Sequence, residues 1–170
     1  MGILHNYSAA ITWTGARGVG TASYTSYSRD HDVIFEGKPP LPGSSDPTFR
    51  GDPTRYNPEE LLLAALAQCH MLWLLHLAAA DGIVVVGYTD QASGTMRVAA
   101  AGHGQFTEAV LHPCVTIASG TRADGRPIGD EDLAALHSRA REHCFIARSV
   151  NFPVRHDAAP VRIADEPART

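Results

Sequence analysis

Apolar and polar positions alternate over residues 5–14, with Tyr7, Ala9, Ile11 and Trp13 on one side. A period of two marks a half-buried strand. After a glycine-marked turn at 15–20, residues 21–27 are rich in β-branched and aromatic side chains, and residues 32–36 hold the run Val33, Ile34, Phe35. Residues 1–36 therefore read as strands. The pattern then breaks over residues 37–56, which carry Pro39, Pro40, Pro42, Pro47 and Pro53 with Gly43 and Gly51. A structureless stretch of this length inside a compact domain is usually functional or a linker. Ordered patterns on both sides favour a functional loop.

From Asn57 the period changes. Asn57 suits an N-cap, Pro58 the first helical position, and Glu60 can close a capping box. Glu59 and Glu60 also meet the positive end of the helix dipole. The helix, spanning residues 57–81 with a stop at Gly82, is apolar almost all round, from Leu61, Leu62 and Leu63 to Trp73, Leu74, Leu75 and Leu77. Such a helix is expected to be covered on most sides, and a single small chain offers it little cover. Strands are expected over 83–91, 95–101 and 106–119, with a tight connection at 102–104. A polar loop at 120–129 precedes a second helix, capped by Asp130 and ending at Cys144. A closing strand is expected over 153–164, followed by a frayed tail at 165–170. Strands, long helix, strands, helix and strand make an α+β domain.

At 170 residues the chain is expected to form one domain, 1–170, able to bury its own core. The formal net charge of −4 supplies no basic surface for phosphates, which argues against nucleic acid. No apolar run is read as long enough to span a bilayer, and the N-terminus lacks a basic-then-apolar signal pattern. A cytoplasmic location without membrane attachment is the expectation. Three cysteines, Cys69, Cys114 and Cys144, are too few and too odd in number for a disulfide framework. Packing, metal binding and redox chemistry remain open to them. A peroxidatic thiol becomes a sulfenic acid, which condenses with a second thiol. That chemistry requires a cation near the first sulfur. Arg17, Arg29, Arg50 and Arg55 all precede the long helix, and an arginine fork can be held by a carboxylate while it faces a thiolate.

The segment Asn57-Pro58-Glu59-Glu60-Leu61-Leu62, followed by Ala64-Ala65-Leu66-Ala67-Gln68-Cys69, resembles the signature of the OsmC/Ohr family of thiol peroxidases. In that signature an Asn-Pro-Glu helix start precedes the reactive cysteine by ten residues counted from the glutamate. His143-Cys144-Phe145-Ile146 matches the place of the second family cysteine, with Phe145 where proline is frequent. The element order agrees from about Tyr7 to Ile163. The resemblance implies antiparallel sheets around a long central helix in an intertwined homodimer. It implies that Cys69 attacks an organic hydroperoxide, that Cys144 resolves the sulfenic acid as a disulfide, and that Glu59 orients an arginine beside Cys69. Arg50 fits best by its place before the Asn-Pro-Glu motif, with Arg17 second and Arg29 third. A dithiol reductant such as a lipoylated protein is implied as partner, with no cofactor and no metal.

Ten residues of helix rise about 15 Å. In an unbroken helix, Glu59 and its arginine would therefore serve the Cys69 of a second chain. His70, directly after Cys69, departs from the family pattern and is expected as a packing residue or a neighbour that tunes the thiol. Cys114 is expected to be structural. Two other readings stay in view. One is a non-catalytic small-molecule binding protein on the same fold. The other is a zinc site built from Cys69-His70 and His143-Cys144, although adjacent helical residues diverge by about 100°. No Gly-x-Ser-x-Gly elbow and no Gly-Lys-Ser/Thr loop is present.

Overall fold

A computed structural model describes residues 2–164, and the tail at 165–170 lies outside them. The chain forms two compact units, residues 1–62 and 63–170. The elements of the whole chain agree with the α+β expectation.

The first unit holds an antiparallel sheet of β1 (Ala10–Trp13), β2 (His31–Ile34) and β3 (Leu41–Gly43) in the order β1-β2-β3. Ladder pairs such as Ile11↔Val33 and Val33↔Leu41 fix its register. The strand expected over 21–27 does not form. Ser26 Oγ instead donates to the carbonyls of Gly20 and Ser23. Short hydroxyl side chains that bond the local backbone compete with a ladder, and here they fold the segment into turns. Nor is the 37–56 stretch structureless: it contributes β3 and a 3-10 turn at Pro47–Phe49, with Asp46 capping the turn through Thr48 N–H. Gly51 has no room for a Cβ, which would fall 1.6 Å from the Ser45 carbonyl oxygen, so the backbones close here only on glycine. The unit ends in the first turn of α1 (Pro58–Ala80). Its capping box closes as expected, Asn57 N–H donating to Glu60 Oε2 at 3.0 Å and Glu60 N–H to Asn57 Oδ1 at 2.8 Å.

The second unit contains the rest of α1, six strands and α2 (Asp130–His143). The strand expected over 106–119 is divided into β6 (Gly104–Leu111) and β7 (Pro113–Ile117), which enter different sheets. At the break, His112 N–H donates to Asp90 Oδ1 and Pro113 has no N–H to give. The expected closing strand divides in the same way. β8 (Val154–His156) lies parallel to β6, and β9 (Arg162–Ile163) parallel to β7. With β4 (Val85–Asp90) and β5 (Ser93–Val98), the sheets are β4-β7-β9 and β5-β6-β8. Each joins an antiparallel pair to one short parallel edge strand. The cap of α2 is Gly129 rather than Asp130. Asp132 reaches back to the Gly129 N–H at 3.0 Å, while Asp130 Oδ1 accepts from Val161 N–H.

Two apolar cores flank α1 in this unit. Leu74, Leu77 and Ala78 join Ile83, Val115, Ile117, Leu133 and Leu136 in one, and Leu66 joins Ala109, Leu111 and Val154 in the other. The buried residues of α1, namely Leu66, His70, Leu74, Leu77 and Ala78, form a single stripe. Leu72 remains 61% exposed. Within one chain the helix is thus covered along one face rather than on most sides. At 23 residues with a mean hydropathy of 1.7 over an 18-residue window, α1 does reach membrane-spanning length and composition, contrary to the sequence expectation. Its two-core packing and its buried His70 make it a core helix.

Candidate active site

The two units each place one part of the expected chemistry. In the second, Cys69 sits near the middle of α1 and Cys144 caps the C-terminus of α2. The fold brings these thiols together from 75 residues apart in sequence. Cys144 is 1% exposed and Cys69 half-buried, and both are free thiols. Burial, and then the neighbouring Cys69, push the Cys144 thiol up to about 11, against the lowering effect of the Ala147 N–H, which donates to Cys144 Sγ at 3.4 Å. Cys144 is therefore held as the neutral thiol at neutral pH.

Aromatic rings surround the pair. Trp73 lies one helical turn after Cys69, with its ring 4.9 Å from His143 and 5.4 Å from Phe145, the two residues that flank Cys144. Leu72, Trp73 and His76 line a shallow depression of about 220 Å³.

In the first unit, a cavity of about 410 Å³ is lined by Trp13, Tyr27, Arg29, Ser44 and Glu59 among others. Arg29 is fixed there by its surroundings. Its Nη1 donates to the carbonyls of Tyr24 and Tyr27 at 3.1 and 3.0 Å, and its guanidinium lies 4.4 and 4.2 Å from the centroids of their rings. Stacking on aromatic faces holds the fork rigid. Its Nη2 is shut off from solvent without a partner, so one donor of the fork is left unused. The half-buried Glu59 lines the same cavity.

Arg50 and Arg17 are placed differently. Both are exposed and adopt left-handed backbone, with φ of 68° and 49°; Arg50 ends the 3-10 turn and Arg17 lies in the turn after β1. Neither lines the cavity with Glu59. Arg55 is engaged with His31 O and with Asp32. Of the three arginines ranked from sequence, it is the third that shares a cavity with Glu59. The tyrosines two and five positions before Arg29 were the available signal.

The two Cys-His dipeptides do not converge. His70 turns into the interior, where its Nε2 lies 2.9 Å from His137 Nδ1. His143 Nδ1 instead pairs with the Arg139 carbonyl. Among the described residues no group of three His, Cys, Asp or Glu is arranged to hold a metal ion. Cys114 is a partly buried residue of β7 opposite Thr89, in keeping with a structural role. His137 and His156, the companions of His70, were not foreseen; they lie 67 and 86 residues away with no spacing motif to connect them.

The profile of the OsmC-like protein family matches residues 51–158. A search among curated proteins gives no match. Among solved structures, an OsmC-like protein of unknown function from Vibrio cholerae is 31% identical, with a TM-score of 0.79 over 92% of this chain and 100% of that one. An organic hydroperoxide resistance protein OsmC from Legionella pneumophila is 17% identical (TM-score 0.66, covering 95% and 99%). An organic hydroperoxide resistance protein from Elizabethkingia anophelis is 16% identical (TM-score 0.64, covering 98% and 100%). The latter two share the fold. With its profile match, its Asn-Pro-Glu helix start and its paired thiols, the chain belongs to the OsmC-like protein family.

Proposed function

We propose that this protein is a thiol-dependent peroxidase that reduces organic hydroperoxides to alcohols. The observation that carries the reading is the pairing of Cys69 on α1 with a buried Cys144 at the end of α2. In the first step the Cys69 thiolate attacks the terminal oxygen of ROOH. The O–O bond breaks, Cys69 becomes the sulfenic acid, and RO⁻ takes a proton to leave as the alcohol. In the second, Cys144 sulfur attacks the sulfenic sulfur. A disulfide forms and water leaves, carrying the Cys144 proton. A dithiol reductant then restores both thiols by exchange. A Cys144 held neutral suits this order, because it stays unreactive until a sulfenic acid stands beside it. The aromatic surroundings of Trp73 and Phe145 favour an apolar R group over hydrogen peroxide.

The cation of this reading is Arg29, oriented by Glu59, in place of the Arg50 favoured by motif position. Its stacked guanidinium with one unused donor, in a cavity shared with Glu59, supports the choice. Because α1 runs unbroken from Pro58 to Ala80, Glu59 and Cys69 are separated by about 15 Å of helical rise. Arg29 and Glu59 therefore act on the Cys69 of a second copy, in a homodimer. The exposed apolar side of α1, including Leu72, is consistent with such a partner.

The test is consumption of cumene hydroperoxide with a dithiol reductant. Cys69→Ser should abolish turnover, and Arg29→Ala should lower kcat/KM by about 100-fold or more, as for loss of a charge aimed at the reacting atoms. Arg50→Ala should leave it near wild type. Full activity in Cys69→Ser would end the peroxidase reading. Loss in Arg50→Ala with none in Arg29→Ala would return the role to Arg50.

A further inference from the structure

A second cavity, of about 500 Å³, lies within the second unit between α2 and the segment that follows β8. One stripe of α2 forms its wall: Asp130, Leu133, Ala134, His137, Ser138 and Arg141. Spacings of three and four place these on one helix face. Nothing in the peroxidase reading uses them.

His137 is the informative residue. It is 6% exposed, and its Nδ1 pairs with Nε2 of the fully buried His70 in an in-line contact, the two rings being within 8° of parallel with centroids 5.2 Å apart. His70 Nδ1 is sealed from solvent without a partner, whereas His137 Nε2 has no protein partner among the described residues and is not sealed. His137 itself lines the cavity. The buried pair also sets its chemistry. If His70 accepted at Nε2, its only proton would sit on the sealed Nδ1, leaving a donor with nothing to meet. A lone acceptor is the more tolerable orphan. His70 therefore donates from Nε2 to His137 Nδ1, and His137 carries its proton on Nε2, directed at the cavity.

Arg141 lies one turn beyond His137. It has no carboxylate within ion-pair distance among the described residues, and it stands near enough to His156, also in the wall, to oppose protonation of that ring. With the Ser138 hydroxyl, this end of the cavity offers donors. The acid in the wall, Asp130, sits eleven residues back, about 16 Å away along the helix, and its Oδ1 is occupied by Val161 N–H. Burial holds His137 and His156 neutral, with pKa values of about 4. The donor end thus carries one positive charge, which matches one negative charge better than a phosphate dianion. Leu133, Ala134, Ala158, Ala159 and Pro160 make the remaining wall apolar.

We propose that this cavity binds a small organic monocarboxylate, its carboxylate held by Arg141, Ser138 and the His137 Nε2–H and its short apolar body lying on Leu133, Ala134 and Pro160.

The experiment titrates the purified full chain with hexanoate, 1-hexanol and inorganic phosphate, followed by calorimetry and by the imidazole ¹⁵N signals. Hexanoate should bind saturably and move the His137 Nε2 signal. Arg141→Ala, an exposed change with little risk to folding, should weaken hexanoate by about tenfold or more, as for loss of a charge-assisted pair. Arg141→Lys should recover part of that. Hexanol should bind more weakly and ignore Arg141→Ala. Cys69→Ser should keep hexanoate affinity, which separates this site from the thiols even if the peroxidase reading fails. Absence of saturable binding at millimolar hexanoate would overturn the proposal. So would equal affinity in Arg141→Ala, phosphate binding as tight as hexanoate, or loss of binding in Cys69→Ser.

Discussion

Acidification is the perturbation to which the interior of the second unit should respond most. Burial, with His156 and His137 close by, lowers His70 from 6.5 to about 3, and burial lowers His137 from 6.5 to about 4. Both are neutral in the folded protein at pH 5, while the unfolded chain has protonated both. Because the unfolded state binds more protons, stability falls as pH falls, starting near 6.5 and continuing toward pH 4. Linkage makes this about 2 kcal/mol per histidine at pH 5, or about 4 kcal/mol for the pair, and His156, lowered from 6.5 to about 4 chiefly by burial, adds a like amount. That is a large part of a stability that is typically about 5–15 kcal/mol. The lowered carboxyls of Asp46, Asp52, Asp124 and Asp132 act elsewhere: their contribution is present above the usual carboxyl pKa of 3.8 and is lost below it, outside this window. The assay is urea unfolding at pH 7.5 and pH 5, read by circular dichroism. The midpoint should drop markedly. In a His70→Leu/His137→Leu double variant, both halves of the buried bond are replaced by apolar groups, so the pH dependence should shrink to the share of about 2 kcal/mol that the buried His156 still carries, while stability at pH 7.5 stays comparable. Equal midpoints at the two pH values in the unmutated protein would refute the reasoning.

Three further outcomes follow from single residues. Asn57→Ala removes the acceptor for Glu60 N–H and should cost about 1 kcal/mol, measured as a lower denaturation midpoint with α1 otherwise intact. Leu74→Ala, at a fully buried position, should cost about 2–5 kcal/mol in the same experiment. Cys144, buried and with its thiol pushed up to about 11, should resist iodoacetamide in the native protein at pH 7.5 and react about tenfold faster per pH unit up to pH 10 while the fold holds. Site-resolved mass spectrometry reads this, and rapid native labelling of Cys144 at pH 7 would contradict the burial described.

Legibility of the chain differs between its parts. Local chemistry was readable at the start of α1. The Asn57–Glu60 capping box and the run of α1 to Ala80 follow from side chains that meet their partners within one turn. The Asn-Pro-Glu and Cys69 motif was likewise readable, because its parts share one helix. Strand continuity was not. Residues 106–119 have an unbroken β pattern, yet His112 and Pro113 divide them between two sheets, since Asp90 on another strand takes the His112 N–H. Residues 21–27 have β-prone side chains but fold as turns, because hydroxyls satisfy the backbone locally.

The candidate site divides along the same line. Cys69 and Cys144 could be singled out as candidates from their contexts. That they stand side by side depends on how α2 packs against α1, which no local spacing encodes. The arginine divides the same way: motif position favours Arg50, while stacking between Tyr24 and Tyr27 holds Arg29 in the cavity with Glu59. His70 was visible only as a departure from a pattern. Its in-line bond to His137, the nearby His156 ring and the adjoining cavity come from three distant segments. Helix caps and helical faces are set by neighbours in the chain. Pairings between thiols, imidazoles and sheet edges are set by which surfaces the cores of Leu66 and Leu74 press together, and only tertiary packing decides those.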